Sequence, residues 1–295
     1  MGRLSLAPPA TARALQHALE GVHYFADLGL ATAVFLSTTL GKPLLLEGEP
    51  GVGKTEAARA LAAVTGRELI RLQCYEGLDA AQSLYEWNYP KQLLHMRAHD
   101  GGSGALADIY SPEFLLERPL LKALRQAAGA VILIDEIDRA DAEFEAFLLE
   151  FLGEFQISIP ELGTIRAAVP PITILTSNRT RELHDALKRR CMYHWIDLPD
   201  PAQERRIVEA RAPGLSPAAA ASLVDAVGRV RRLPLAKRPG IAESIEWARG
   251  AMALERGGEN WPTALRRSLG LLAKDQEDLS RVTAEVAAIF DCDAL

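Results

Sequence analysis

A chain of 295 residues, 48% hydrophobic and 24% charged, is long enough to bury a sizeable core and has room for one large domain or two smaller ones. Its 33 basic and 39 acidic residues leave a net charge of -6, which excludes an overall basic field for coating nucleic acid and leaves only a local patch open. The longest apolar stretch, around Leu28 to Leu40, is interrupted by Thr32, Ser37, Thr38 and Thr39, so no membrane span is expected.

Two helical pieces come first, Thr11 to Glu20 and Phe25 to Leu40, after a start that lacks the long apolar region of a signal peptide. The apolar run Pro43 to Leu46 then reads as a strand feeding Gly48-Glu49-Pro50-Gly51-Val52-Gly53-Lys54-Thr55, and an Ala-rich helix from Glu56 to Val64 leaves it. Strand, loop and helix in that order are the context in which Gly-x4-Gly-Lys-Thr cradles phosphate. The glycines let successive N–H groups point inward at an anion, at the positive end of the following helix. Lys54 is expected to reach the β- and γ-phosphates of a nucleotide and Thr55 to ligate Mg²⁺, with Gly48, Pro50, Gly51, Val52, Gly53, Lys54, Thr55 and Glu56 as the nucleotide-binding set.

Gly66 reads as a left-handed helix cap and Glu68 to Gln73 as a second strand, which completes one βαβ unit. From Tyr75 to Gly104 the character changes: Tyr85, Trp87 and Tyr89 precede a polar, glycine-containing segment from His99 to Gly104, the pattern of an insertion with a mobile tip. Ser111 and Pro112 predict a helix start, followed by an apolar face of Leu120, Leu121 and Leu124.

Val131 to Glu136 is a fully buried type of strand that ends in two adjacent carboxylates. In open α/β sheets the ligand sits beyond the carboxyl ends of the strands, so Asp135 and Glu136 are expected at the edge from which the phosphate loop emerges. Asp135 suits the Mg²⁺ shell, directly or through water, and Glu136 suits a general base for the attacking water. A helix from Asp141, with Phe144, Phe147, Leu148 and Phe151 on one face, is expected to stop at Gly153. Phe155 to Ile159 and Thr164 to Arg166 read as a β-hairpin turning at Pro160 to Gly163.

The buried strand Ile172 to Ser177 ends on Asn178, an amide able to orient a water beside a γ-phosphate, or simply a turn former. Thr180 to Arg190 predicts a helix ending in Lys188-Arg189-Arg190, before a strand from Tyr193 to Leu198. Beyond a proline-bearing hinge at Asp197 to Pro201 the strand patterns cease. Pro201 to Arg211, Ser216 to Arg232, Gly240 to Glu255 and Pro262 to Phe290 read as helices. Cys74, Cys191 and Cys292 have neither metal-ligand spacing nor a disulfide pattern, which favours a reducing, cytoplasmic setting.

In the order of these parts the chain resembles the AAA+ ATPases, and more narrowly the MoxR branch. The resemblance is carried by Gln73-Cys74-Tyr75-Glu76-Gly77, Tyr85-Glu86-Trp87-Asn88-Tyr89, Ile134-Asp135-Glu136-Ile137-Asp138-Arg139-Ala140, Ile159 to Thr164 and Thr176 to Leu183. Within that branch it is most similar to CoxD-type ATPases associated with maturation of molybdenum hydroxylases such as carbon monoxide dehydrogenase. The resemblance implies an α/β P-loop NTPase core over residues 1–199, with N-terminal helices and an insertion at about 75–110, and an all-helical lid over 200–295.

It also implies roles. Asn178 falls at the sensor-1 amide, and Arg190 falls at an arginine finger acting on a neighbour's γ-phosphate, with Arg189 in reserve. A finger in trans implies a homo-oligomer, typically a hexameric ring. The branch further implies a von Willebrand factor A domain protein as partner and a client enzyme, with the insertion and the hairpin facing them. Where many relatives place a sensor-2 arginine, this chain has Pro239-Gly240-Ile241-Ala242-Glu243, with Lys237 and Arg238 as weak substitutes. The function implied is a Mg²⁺-ATP-hydrolysing chaperone that remodels a metal-cofactor enzyme. A nucleic-acid-directed motor, a nucleotide switch without turnover and a rubisco-activating ATPase are the alternatives.

Overall fold

The structure is a computed structural model that describes residues 9–78, 83–98, 109–160 and 162–290. Thr11 accepts a hydrogen bond from the Ala14 N–H and starts helix α1 (Ala12–Gly21), and Asp27 accepts from the Leu30 N–H at 2.6 Å to start α2 (Leu28–Leu40). The second helix begins at Leu28 rather than at Phe25 because a carboxylate satisfies its first donors. Strand β1 (Leu44–Gly48) then leads into α3 (Lys54–Thr65) and β2 (Glu68–Gln73), with Gly66 between them at φ +65°.

The insertion is itself folded. β3 (Tyr85–Trp87) is followed by α4 (Tyr89–Ala98), and β4 (Leu115–Glu117) returns antiparallel to β3 before α5 (Pro119–Arg125). Trp87 is buried, with the rings of Tyr85 and Tyr110 set edgewise to it at 6.1 and 5.4 Å. The expected helix at Ser111 is a single 3-10 turn, Pro112–Phe114, and Ser111 makes no side-chain cap. The backbone that follows pairs with β3, so the helix carrying Leu120, Leu121 and Leu124 waits until Pro119. The segment expected as a tip, His99 to Gly104, and Glu161 of the hairpin lie outside the described residues.

Next come β5 (Ala130–Asp135), α6 (Ala142–Glu154), β6 (Gln156–Ile159), β7 (Gly163–Arg166), β8 (Ile172–Ser177), α7 (Asp185–Arg190) and β9 (Met192–Ile196). The five-stranded sheet has the order β2-β5-β8-β1-β9, with β2–β5, β5–β8 and β8–β1 all parallel. β5 and β8 are buried along their whole lengths, as strands covered on both faces must be. Phe144, Leu148 and Phe151 of α6 pack into the same core. Gly153 does not stop α6: the helix runs on to Glu154, and Phe155 takes the left-handed cap at φ +47°.

Beyond β9 the chain is helical: α8 (Pro201–Arg211), α9 (Pro217–Val230), α10 (Ile241–Arg256), α11 (Trp261–Arg267), α12 (Gln276–Ala284) and α13 (Val286–Phe290). The single helix expected over Pro262 to Phe290 is divided, because a 3-10 turn at Leu269–Leu271 ends one piece and Asp275 caps the next. Among the described residues no helix is long and apolar enough to cross a membrane.

The contacts divide the chain into two units, one built on Ala26–Glu47 and Thr55–Trp195, the other on His23–Phe25, Gly48–Lys54 and the residues from Ile196 onward. The second has its own core around Trp247, whose indole N–H donates to the Leu265 carbonyl at 3.0 Å. Beside that core Arg231 makes a two-pronged pair with buried Glu204 at 2.6 and 2.9 Å, and Ser244 donates to the same carboxylate at 2.7 Å. Removing the guanidinium strands a buried carboxylate. Arg231→Ala is expected to cost about 3–5 kcal/mol, read as a fall in the urea unfolding midpoint.

Candidate nucleotide site

The phosphate loop turns off β1 at Gly48, where a Cβ would lie 2.4 Å from the Ile196 carbonyl oxygen, so only glycine fits. Gly51 and Gly53 follow with φ of +81° and +96°, in the left-handed region. Lys54 is buried, and its Nζ donates to the Gly48 and Glu49 carbonyls at 2.7 and 2.8 Å. The loop is also braced from outside. Tyr24 donates from its hydroxyl to the Gly53 carbonyl at 3.4 Å, and the Ile241 N–H donates to the Gly51 carbonyl at 3.1 Å.

That second brace explains the glycine in Pro239-Gly240-Ile241. A Cβ on Gly240 would lie 2.9 Å from the Gly51 Cα and 2.9 Å from the Pro50 carbonyl oxygen. Gly240 caps α10, its N–H donating to the Glu243 carboxylate at 2.9 Å. Backbone, not a basic side chain, therefore meets the loop there. Lys237 and Arg238 are exposed, and the Lys237 N–H is held by Asp278 at 3.0 Å.

Asp135 ends β5 almost wholly buried. Its Oδ1 accepts from the Thr55 hydroxyl at 3.1 Å and the Thr176 hydroxyl at 2.6 Å, while Oδ2 takes Arg71 Nε at 2.9 Å and Nη2 at 2.5 Å. Thr55 and Asp135, placed in one metal shell by the sequence, are thus in direct contact. Glu136 follows in the left-handed region at φ +56°, a conformation uncommon for a residue with a side chain. Its Oε2 accepts from Gln73 Nε2 at 3.0 Å and pairs with Arg139 Nε at 2.9 Å.

Arg71 and Gln73 were not among the residues the sequence marks for the site. β2 carries them beside β5 in register, with Gln73 opposite Asp135. The available signal was two polar side chains near the carboxyl end of the strand, at alternate positions around buried Leu72. Asn178 directly follows β8, next in the sheet to β5, and its N–H donates to Asp138 Oδ2 at 3.2 Å.

Arg190 lies elsewhere. It is exposed at the end of α7 and donates from Nη1 to the Leu149 carbonyl, lining a cleft of about 560 Å³ with Arg189, Lys42 and the last turn of α6. Helix α7 starts at Asp185 rather than Thr180, since the Thr180 hydroxyl is held by Asp138 at 2.7 Å. Near the acids, burial and then the charges of Asp135, Asp138 and Glu136 push the Cys74 thiol up to about 12, and burial does the same to Cys191.

The donor set fits Mg²⁺. A hydroxyl and a carboxylate oxygen in contact offer hard oxygen ligands, and Mg²⁺ typically binds one or two such groups together with phosphates and water. Among the described residues no group of three His, Cys, Asp or Glu forms a separate metal cluster.

A glycine loop after one buried parallel strand and an acidic pair closing another define a P-loop nucleoside triphosphatase, and the chain is an ATPase of that fold. Residues 43–191, half of the chain, match the family described as AAA domain (dynein-related subfamily), and the chain belongs to that family. It is similar to protein NorQ of Paracoccus denitrificans, 26% identical over 275 residues that span 90% of this chain and 93% of that protein. An uncharacterized protein of Staphylococcus haemolyticus is 26% identical over 167 residues, 55% of this chain and 57% of its own length. Two RuvB mutants of Thermotoga maritima superpose with a TM-score of 0.49, at 20% and 19% identity, over 90% and 92% of this chain and 72% and 75% of theirs.

Proposed function

We propose that this ATPase is a MoxR-type chaperone that works as a hexameric ring, using ATP hydrolysis to remodel a metal-cofactor client such as a molybdenum hydroxylase. Residues 200–295 serve as its helical lid, and a von Willebrand factor A domain protein is its partner. The observation that carries the catalytic part is the contact of Thr55 with Asp135 at 3.1 Å, with Glu136 next in the chain and Asn178 at the end of the neighbouring strand. Similarity to NorQ along nearly the whole chain supports the MoxR reading.

ATP is the substrate. Lys54, now hydrogen-bonded to its own loop, turns its ammonium to the β- and γ-phosphates, and the loop N–H groups cradle them. Thr55 and Asp135 hold Mg²⁺, which when bound neutralises charge on the phosphate oxygens. Glu136 takes the proton of the attacking water, Asn178 orients that water, and Arg190 of a neighbouring subunit stabilises the charge that builds in the transition state.

Recognition falls to elements that phosphate chemistry does not use. Tyr89, Leu93 and Leu94 stand exposed on α4, and Leu162 turns the hairpin between β6 and β7. Replacing Glu161-Leu162 by Gly-Ser is expected to leave phosphate release within a few-fold of wild type and to abolish client activation. Client activation that survived the exchange would reduce the hairpin to a structural turn. Native mass spectrometry with ATP and Mg²⁺ tests the ring directly: a chain that stayed monomeric at every concentration would refute it.

A further inference from the structure

We infer that Asp138 is a positioning residue that sets the Asn178 amide relative to Glu136 by holding a strained turn at residues 178–180. This rests on the water-orienting role proposed for Asn178. Asp138 lies in the 3-10 turn Ile137–Arg139 that Glu136 itself opens, and it is 2% exposed. One of its oxygens, Oδ2, accepts three hydrogen bonds: from the Asn178 N–H at 3.2 Å, the Thr180 N–H at 2.9 Å and the Thr180 hydroxyl at 2.7 Å. Its Oδ1 is buried and has no partner among the described residues. All three side-chain bonds of the carboxylate thus run from Oδ2 to one short segment at another strand's end.

That segment needs holding. Arg179, between the two N–H donors, sits at φ +57°, a region that a side-chain-bearing residue occupies only when its surroundings impose it. Its own N–H is taken by the Ser177 hydroxyl at 3.0 Å. Three successive N–H groups therefore have fixed acceptors, two of them the same carboxylate oxygen. Glu136, at φ +56°, is the other left-handed non-glycine residue of the site. Glu136 opens the turn that holds Asp138, and Arg179 lies between the two N–H groups that Asp138 accepts, so one side chain ties the turn carrying the base to the turn carrying the amide.

Burial alone pushes the Asp138 carboxyl up, but the hydrogen bonds from Thr180 and Asn178 outweigh it and hold it below the usual carboxylate range. An asparagine at 138 fills the same space while losing the charge, and one of its two terminal atoms becomes a donor. Displacements of about 1 Å in a reacting constellation cost roughly 10²-fold in rate.

The test is a double-mutant cycle in the full chain, read by steady-state phosphate release and ATP titration. Asp138→Asn is expected to lower kcat by about 10- to 100-fold with KM within about 3-fold, and Asn178→Ala to lower kcat at least as much. The double variant should be no slower than Asn178→Ala alone, since Asp138 acts through that amide. A merely structural Asp138 gives losses that multiply, and that outcome, or wild-type kcat in Asp138→Asn, overturns the inference while leaving the Asn178 role intact. Wild-type kcat in Asn178→Ala overturns both. If Asp138→Asn does not fold, Thr180→Val removes the hydroxyl's bonds to Asp138, 2.7 Å to Oδ2 and 3.3 Å to the carbonyl, while keeping both N–H donors, and the same cycle with Asn178→Ala decides by the same criterion.

Discussion

Glu136→Gln is expected to hydrolyse ATP about 10²- to 10⁴-fold more slowly than wild type while binding it as well, and Lys54→Ala to lose the nucleotide instead. The two positions do different work. Glutamine at 136 preserves volume and can still accept a hydrogen bond from Gln73, which stands 3.0 Å away, but it has no carboxylate to take a proton from water. Lys54 is a buried ammonium whose donors end on two loop carbonyls, and a phosphate is the stronger acceptor. Losing a charge-assisted contact of about 1.5–3 kcal/mol weakens binding roughly 10- to 150-fold. A fluorescent ATP analogue measures affinity and a coupled assay measures phosphate release. Near-wild-type turnover by Glu136→Gln would remove Glu136 as the base.

Arg190→Ala should slow turnover by about 10³-fold with a much smaller effect on affinity, because a finger acts mainly on transition-state charge. The side chain is exposed and donates to the Leu149 carbonyl of α6, so the truncation removes no buried charge. The loss can therefore be read as catalytic rather than as unfolding. Since the finger works on a neighbour's nucleotide, mixing Arg190→Ala with Lys54→Ala subunits should restore part of the activity: some interfaces then join an intact finger to an intact loop. Mixed rings verified by mass spectrometry that show no recovery would argue against a site completed in trans, and the cleft lined by Arg189 and Arg190 would need another explanation.

The buried strands and the glycine loop were legible in the sequence where local rules dominate. A run such as Val131 to Ile134 has no other low-cost place than the middle of a sheet, and glycines at 48, 51 and 53 declare a tight loop. What escaped was set by partners remote along the chain. The helix expected at Ser111 gives way to β4 because β3 offers it a ladder, and the helix expected from Thr180 is delayed because Asp138 claims that threonine. Phe155, not Gly153, closes α6, and its ring stands edgewise to Phe151 at 6.2 Å. Aromatic packing there prevails over the usual preference for glycine at a helix end. Arg71, 64 residues from Asp135 along the chain, could not be assigned to the acid by any pattern within one strand.

The meeting of Gly51 with Gly240 bears on how such a chain can change. Where side chains meet, a family can tune a contact by small steps, exchanging one residue for another of slightly different size. Here two backbones touch directly, with 2.9 Å from a would-be Gly240 Cβ to the Gly51 Cα. There is nothing smaller than glycine to try and nothing larger that fits. This joint is all or none: even alanine at 240 must push the start of α10 off the loop and stretch the 3.1 Å bond from Ile241 to Gly51. Any gradual adjustment of this joint has to be made elsewhere, at residues such as Tyr24 or Glu243 that bond the loop or the start of α10 through side chains.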